Sequence, residues 1–186
     1  NDEMLVAWRE QLGRLATDST VRVIVLRGEG PSFSSGRDTA ELGRRASGDS
    51  DFEFVLREQR EALKLRHVAR PVVAALQGWT LGGSFELALH CDFRIAAADA
   101  RFGFPEVQHG LVPDVGGTQA LIALAGPERA KRLILTGQPI DATTAALVFE
   151  LDAKGRRALR AGGDGFRYDG EEGSRTGVEL AAEIVQ

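Results

Sequence analysis

The chain has 186 residues, 43% of them hydrophobic and 27% charged, with a formal net charge of −4. That length suits one domain with a real core and room for a small appendage, and the acidic balance argues against nucleic acid as a main partner. A lone cysteine, Cys91, excludes an intrachain disulfide and fits a reducing, cytoplasmic setting. Cys91 and the scattered histidines His67, His90 and His109 match no zinc spacing, so no metal site is expected. No apolar run approaches the roughly 20 residues of a membrane span, so no membrane partner is expected. No targeting segment is legible, and Asn1 reads as an internal residue.

In chain order, Asn1 to Ala16 predicts a helix with Met4, Leu5, Trp8, Leu12 and Leu15 on one face and Asn1 or Asp2 as its cap. Val21 to Arg27 is a β-branched strand ended by Gly28, Gly30 and Pro31. Gly28-Glu29-Gly30 invites a dinucleotide reading, but Phe33 stands where the third glycine belongs and Pro31 distorts the loop. A tight βα connection is the simpler reading. Gly43 to Asp51 is polar and loop-like. Phe52 to Val68 predicts a helix with Phe52, Val55, Leu56 and Leu63 near one face. Pro71 restarts an extended chain.

Val72 to Thr118 organises the rest. Val72 to Gln77 predicts a strand, Gly82 to His90 a helix, and Phe93 to Ala98 a second strand. Helices follow at Gly116 to Ala125, at Pro127 to Leu135 with Gly137 as its stop, and from an Asp141 cap through Phe149. Strands alternating with helices mean an α/β fold with parallel pairing. A glycine-opened helix start can hold an anion on free N–H groups. Beside it stand up to three carboxylates, Glu86, Glu106 and Asp114. This suits chemistry in which an oxygen gains charge while protons move nearby. After Phe149 the texture changes: Leu151 to Arg175 is rich in Gly, Arg and Asp. Thr176 to Gln186 turns helical again, with Thr176 and Glu179 at capping-box spacing.

Two segments resemble the crotonase family, the enoyl-CoA hydratases and isomerases. One is Phe33-Ser34-Ser35-Gly36-Arg37-Asp38. The other is Gly78-Trp79-Thr80-Leu81-Gly82-Gly83-Ser84-Phe85-Glu86-Leu87-Ala88, continuing through Phe102-Gly103-Phe104-Pro105-Glu106 and Gly116-Gly117-Thr118-Gln119. The likeness covers roughly Asn1 to Phe149. It implies a crotonase-like α/β fold of repeated ββα units with C-terminal helices. It divides the chain into a core, 1–149, and a C-terminal helical region, 150–186.

The resemblance also implies an acyl-coenzyme A thioester substrate, with the coenzyme arriving as part of it and no other cofactor. The thioester oxygen is held by the main-chain N–H groups of Arg37 and Gly83, each donor worth about 3–4 kcal/mol. Ser35, Gly36, Asp38, Gly82 and Pro105 surround the substrate, and the Arg37 side chain is expected toward the coenzyme's phosphates. Two glutamates flank a water: Glu86 activates it for attack on C3, and Glu106 supplies a proton to C2. Asp114 has two readings, a proton shuttle for double-bond migration or a cap for the helix opening at Gly116 or Gly117. Hydration of a 2-enoyl-CoA is the leading function. Double-bond isomerisation through Asp114, or silent acyl-CoA binding, is the alternative.

Other residues are set aside. Ser84 lacks the closing glycine of a nucleophile elbow, since Glu86 stands there. His90 and Cys91 read as packed residues rather than a catalytic pair. His109 is placed to line the pocket, and His67 to suit a helix end. Trp79 and Phe104 either wall the acyl chamber or fill core. The family implies a strand before Asn1. It also implies some tens of residues between the equivalents of Phe149 and the Ala153–Gly162 segment, so an omitted stretch is expected near 150–151. Ala153 to Gly162 and Glu171-Glu172-Gly173 resemble the family's C-terminal helices. A homotrimer or homohexamer is expected, its acyl site closed by the C-terminal region.

Overall fold

The computed structural model describes residues 2–41, 48, 50–148, 159–162 and 165–168. The amphipathic opening segment forms α1 (Asp2–Thr17), which packs through Leu12 with Trp8 and Leu15 beside it. Met4 stays 57% exposed. β1 (Ile24–Arg27) is shorter than the apolar run that contains it. Before Ile24 the run is tied differently: the Arg70 guanidinium donates to the Val21 carbonyl at 2.6 Å.

α2 (Asp51–Leu63) begins with a capping box, Ser50 and Glu53 satisfying each other's main-chain N–H groups. It passes into a 3-10 turn, Lys64–His67. Its core face differs from the expected one. Phe54 and Ala62 are buried, whereas Phe52 is 71% exposed. Both phenylalanines fit a helical stripe, and tertiary contact decides between them: the Arg37 guanidinium lies 4.5 Å from the Phe54 ring centroid.

The ββα repeat is visible in the pairing. β2 (Val72–Leu76) and β3 (Trp79–Leu81) lead into α3 (Gly83–His90). β4 (Phe93–Ala96) and β5 (Arg101–Gly103) lead, through a 3-10 turn at Pro105–His109, into α4 (Gly117–Ala125). Each repeat gives one strand to each of two sheets. β2 lies between β1 and β4, all parallel, with Ile24 opposite Val72 and Val73 opposite Phe93. Every β2 residue is buried, so it reads as an unbroken apolar run, as central parallel strands do. In the second sheet β3 pairs in parallel with β5, and β5 runs antiparallel to β6 (Ile140–Asp141). β3, β5 and β6 were not legible in the sequence, because two or three residues carry no period.

α5 (Pro127–Thr136) starts at a proline and ends at Gly137, φ 64°. α6 (Ala142–Val148) is capped by Asp141, whose carboxylate accepts the Thr144 N–H at 2.8 Å. The core joins Phe85, Ala88 and Leu89 of α3 to Phe102, Phe104 and Leu121. Phe85 and Phe104 stack with ring centroids 4.9 Å apart.

Downstream, helix was expected at Ala153 to Gly162, and the structure has strand at its end. β7 (Leu159–Gly162) and β8 (Gly165–Tyr168) form an antiparallel pair with Gly162 opposite Gly165. The other expectations for 149–186, including the helix at Thr176 to Gln186, lie outside the described residues, as does most of the Gly43 to Asp51 loop.

Candidate active site

The turn between β3 and α3 sets the site. Gly82 has φ 58° and ψ −137°, a region that side chains rarely enter, and its N–H donates to the Gly103 carbonyl at 3.0 Å. Gly83 is then the first helical residue, and its N–H has no carbonyl within α3 to bond. The Ser34–Arg37 segment is laid against this turn. Ser34 bridges Thr80 in parallel, the Leu81 N–H donates to the Ser34 carbonyl at 3.0 Å, and the Ser84 and Ser34 hydroxyls are 2.6 Å apart. A Cβ on Gly82 would stand 4.0 Å from the Gly36 Cα and 3.0 Å from Glu106 Oε1. The glycines preceding Arg37 and Gly83 therefore meet in space, with a carboxylate over them.

A cavity of about 260 Å³ opens here. Ser35, Gly36, Arg37, Gly82, Gly83, Pro105, Glu106, His109 and Asp114 all line it, joined by Leu87, Phe54 and the α1 residues Leu5 and Trp8. Glu106 projects from the 3-10 turn with a buried Oε2 that has no hydrogen-bond partner. Burial pushes its carboxyl above the usual range, and Asp114 adds to the rise.

Three expectations change. Asp38 does not line this cavity; its carboxylate accepts the Ala40 N–H at 2.9 Å and holds the turn that starts there. Trp79 is 47% exposed and takes neither of its two readings, wall or core, whereas Phe104 takes the core one and is fully buried. The Arg37 guanidinium sits on Phe54, with Arg57 on the same ring at 5.3 Å.

Glu86 departs most from the simple picture. It is 1% exposed and stands in the wall rather than on the cavity surface. Oε1 accepts the Asp114 N–H at 3.2 Å; Oε2 accepts those of Val115 at 3.1 Å and Gly117 at 2.5 Å. The start of α4, which one of the two readings had Asp114 cap, receives the Glu86 carboxylate from across the fold, while Gly116 occupies the N-cap position without a side-chain bond. Burial pushes the Glu86 carboxyl up to about 8; the Gly117 N–H opposes the rise, and the carboxyls of Asp114 and Glu106 reinforce it. Sequence reasoning found Glu86 but missed its partners, which are main-chain groups with no signature of their own. Among the described residues, no cluster of His, Cys, Asp and Glu is placed to hold a metal ion, and no helix is long and apolar enough to cross a membrane.

Known proteins share this arrangement of elements. An enoyl-CoA isomerase/hydratase of Mycosarcoma maydis is 44% identical over 67% of this chain and 45% of that protein. A crotonyl-CoA hydratase of Syntrophomonas wolfei is 38% identical over 78% of this chain and 56% of its own length. A crystal structure of an enoyl-CoA hydratase from Thermoplasma volcanium superposes with a TM-score of 0.74 at 36% identity, covering 82% of this chain and 60% of that one. The chain thus spans about half the length of the curated relatives it matches. The family model for enoyl-CoA hydratase/isomerase matches residues 1–153, and with the repeated ββα units this places the chain in the enoyl-CoA hydratase/isomerase family, with the crotonase fold.

Proposed function

We propose that the protein hydrates the C2=C3 double bond of a 2-enoyl-CoA thioester. The observation that carries the reading is the meeting of the Gly36–Arg37 and Gly82–Gly83 backbones beneath the buried, unpartnered oxygen of Glu106. The N–H groups of Arg37 and Gly83 take the thioester oxygen as it gains enolate charge, and the start of α3 adds the positive end of its dipole. Glu106 reaches the reacting carbons and transfers the proton at C2. Glu86 Oε1 takes a single N–H and keeps a second acceptor site, so water activation by Glu86 requires the cavity wall in front of it to open. Burial pushes the Glu86 carboxyl up to about 8, which suits a group that takes and returns a proton.

A second reading, double-bond migration, is favoured by Asp114, which lines the same cavity and whose main-chain N–H donates to Glu86 Oε1. Crotonyl-CoA separates the two. Hydration removes its enoyl absorbance, and an unchanged spectrum with pure substrate rejects the hydratase reading. Appearance of that absorbance from a 3-enoyl-CoA supports migration. A catalytically silent acyl-CoA binder would do neither while still binding the thioester.

The family resemblance supports a trimer or pair of trimers, to be tested by sedimentation. It also supports a division into the 1–149 core and a C-terminal region. The single cysteine supports a cytoplasmic setting; burial holds its thiol up to about 12, away from reactive thiolate.

A further inference from the structure

His90 is buried, belongs to α3 one turn beyond Glu86, and has no part in the chemistry proposed above. Its Nε2 lies 2.9 Å from the Val115 carbonyl oxygen. A carbonyl can only accept, so Nε2 carries the hydrogen and the ring is the Nε2–H tautomer. Val115 is therefore gripped at both main-chain polar groups from one helix: its N–H by Glu86 Oε2 at 3.1 Å, and its carbonyl by His90. The preceding carbonyl, that of Asp114, accepts from Gln59 Nε2 of α2 at 2.5 Å. The segment lies hard against the ring, since a Cβ on Gly116 would stand 3.0 Å from His90 Nε2.

We propose that His90 is a positioning residue: through the Val115 carbonyl it fixes the segment 113–117 in the shape that delivers main-chain N–H groups to Glu86 and sets Asp114 against the cavity. His90 Nδ1 is buried without a hydrogen-bond partner. A protonated ring would leave a buried N–H with no acceptor and a buried charge, so the neutral ring is the working form. Burial holds the imidazole below its usual range, the Val115 carbonyl opposes this, and Arg66 from the neighbouring 3-10 turn reinforces it. The residue's effect on turnover rests on the hydratase reading; its effect on the loop does not.

Two variants and two readouts test it. His90→Leu keeps an apolar filling but removes the donor, and His90→Gln restores an N–H donor that can reach the carbonyl. With crotonyl-CoA, His90→Leu should lower kcat by about 10–100-fold, the scale of a small misplacement of catalytic groups, with little change in KM. His90→Gln should recover most of that loss. In 1H–15N spectra the wild-type ring should show the Nε2–H tautomer at neutral pH. The Val115 and Gly117 amide signals should move in His90→Leu and return toward wild type in His90→Gln. The inference is overturned by an Nδ1–H tautomer, by amide signals that do not move, or by a glutamine variant no better than leucine. A wild-type protein inert toward every enoyl-CoA would reject the hydratase reading instead, and the spectra would still decide the role of His90.

Discussion

Gly117→Ala probes the Glu86 anchor without replacing any acidic residue. A Cβ at this position would stand 2.4 Å from Glu86 Cγ, 2.6 Å from Oε2 and 2.9 Å from Cδ. Ordinary contact needs about 3.4 Å or more, so the carboxylate must retreat by roughly 1 Å in a core that is packed like a crystal. Glu86 is 1% exposed and cannot swing into solvent. Overpacking of this kind costs about 1–3 kcal/mol, and loss of the hydrogen bond adds about 0.5–1.5 kcal/mol if the Gly117 N–H is pulled off Oε2. A destabilisation of about 3 kcal/mol would lower the melting temperature of a domain this size by roughly 6–12 °C. Gly13→Ala is the control: nothing lies within 4 Å of its Cβ, and it sits inside α1. There alanine should stabilise by about 0.5–1 kcal/mol. Differential scanning calorimetry of the two variants decides. Gly117→Ala melting within about 1 °C of wild type would refute the close packing of Gly117 against Glu86.

Glu106→Gln should lower turnover of crotonyl-CoA by about 10²–10⁴-fold, the usual weight of a proton-transfer group. Affinity for a saturated acyl-CoA, read by titration calorimetry, should hardly change. Arg37→Pro removes the N–H donor and should cut kcat by about 10²–10³-fold, whereas Arg37→Ala keeps the donor and should cost far less; equal losses would place the effect in the side chain. The pH dependence has a definite sign. Glu86 rises from 4.5 to about 8 on folding, so the folded protein binds more protons in that window. Its contribution to stability is full below the unfolded value and is lost as pH climbs through the folded one. Glu106 shifts in the same direction. The melting temperature should therefore fall from pH 5 to pH 8, and Glu86→Gln should flatten the slope. A wild-type slope that rises and is unaltered in the variant would contradict the burial assigned to Glu86.

The main helices were legible by their period, and the β1-β2-β4 sheet by its β-branched and apolar runs. β3 and β5 were not, although they place Gly82 and Glu106: WTL and RFG hold three residues each, and their ladder partners are remote in sequence. Period put Phe52 on the core stripe, and the structure buries Phe54 instead, against the Arg37 guanidinium. At the site, the glycine-opened helix and the carboxylates could be named from residue types. Asp38 could not be placed, because an aspartate two residues before a free N–H closes a local turn as readily as it meets a ligand.

The part hidden from the sequence has a common physical origin in α3. An eight-residue helix is too short to be stable alone, so tertiary packing of Phe85, Ala88 and Leu89 holds it. The polar positions of the same helix then become fixed points. Gly83 presents a donor at its start, Ser84 ties down the segment before Arg37, and Glu86 and His90 hold the segment carrying Asp114. Gly83, Glu86 and His90 recur at helical spacing, yet the partners of Glu86 and His90 are main-chain N–H and carbonyl groups that every residue possesses. No pattern of side chains announces such a partner. Glutamate at 86 accordingly looks like a bare catalytic acid in the sequence. In the folded chain it also joins two helices, so the geometry of the acid and the stability of the loop cannot be altered independently.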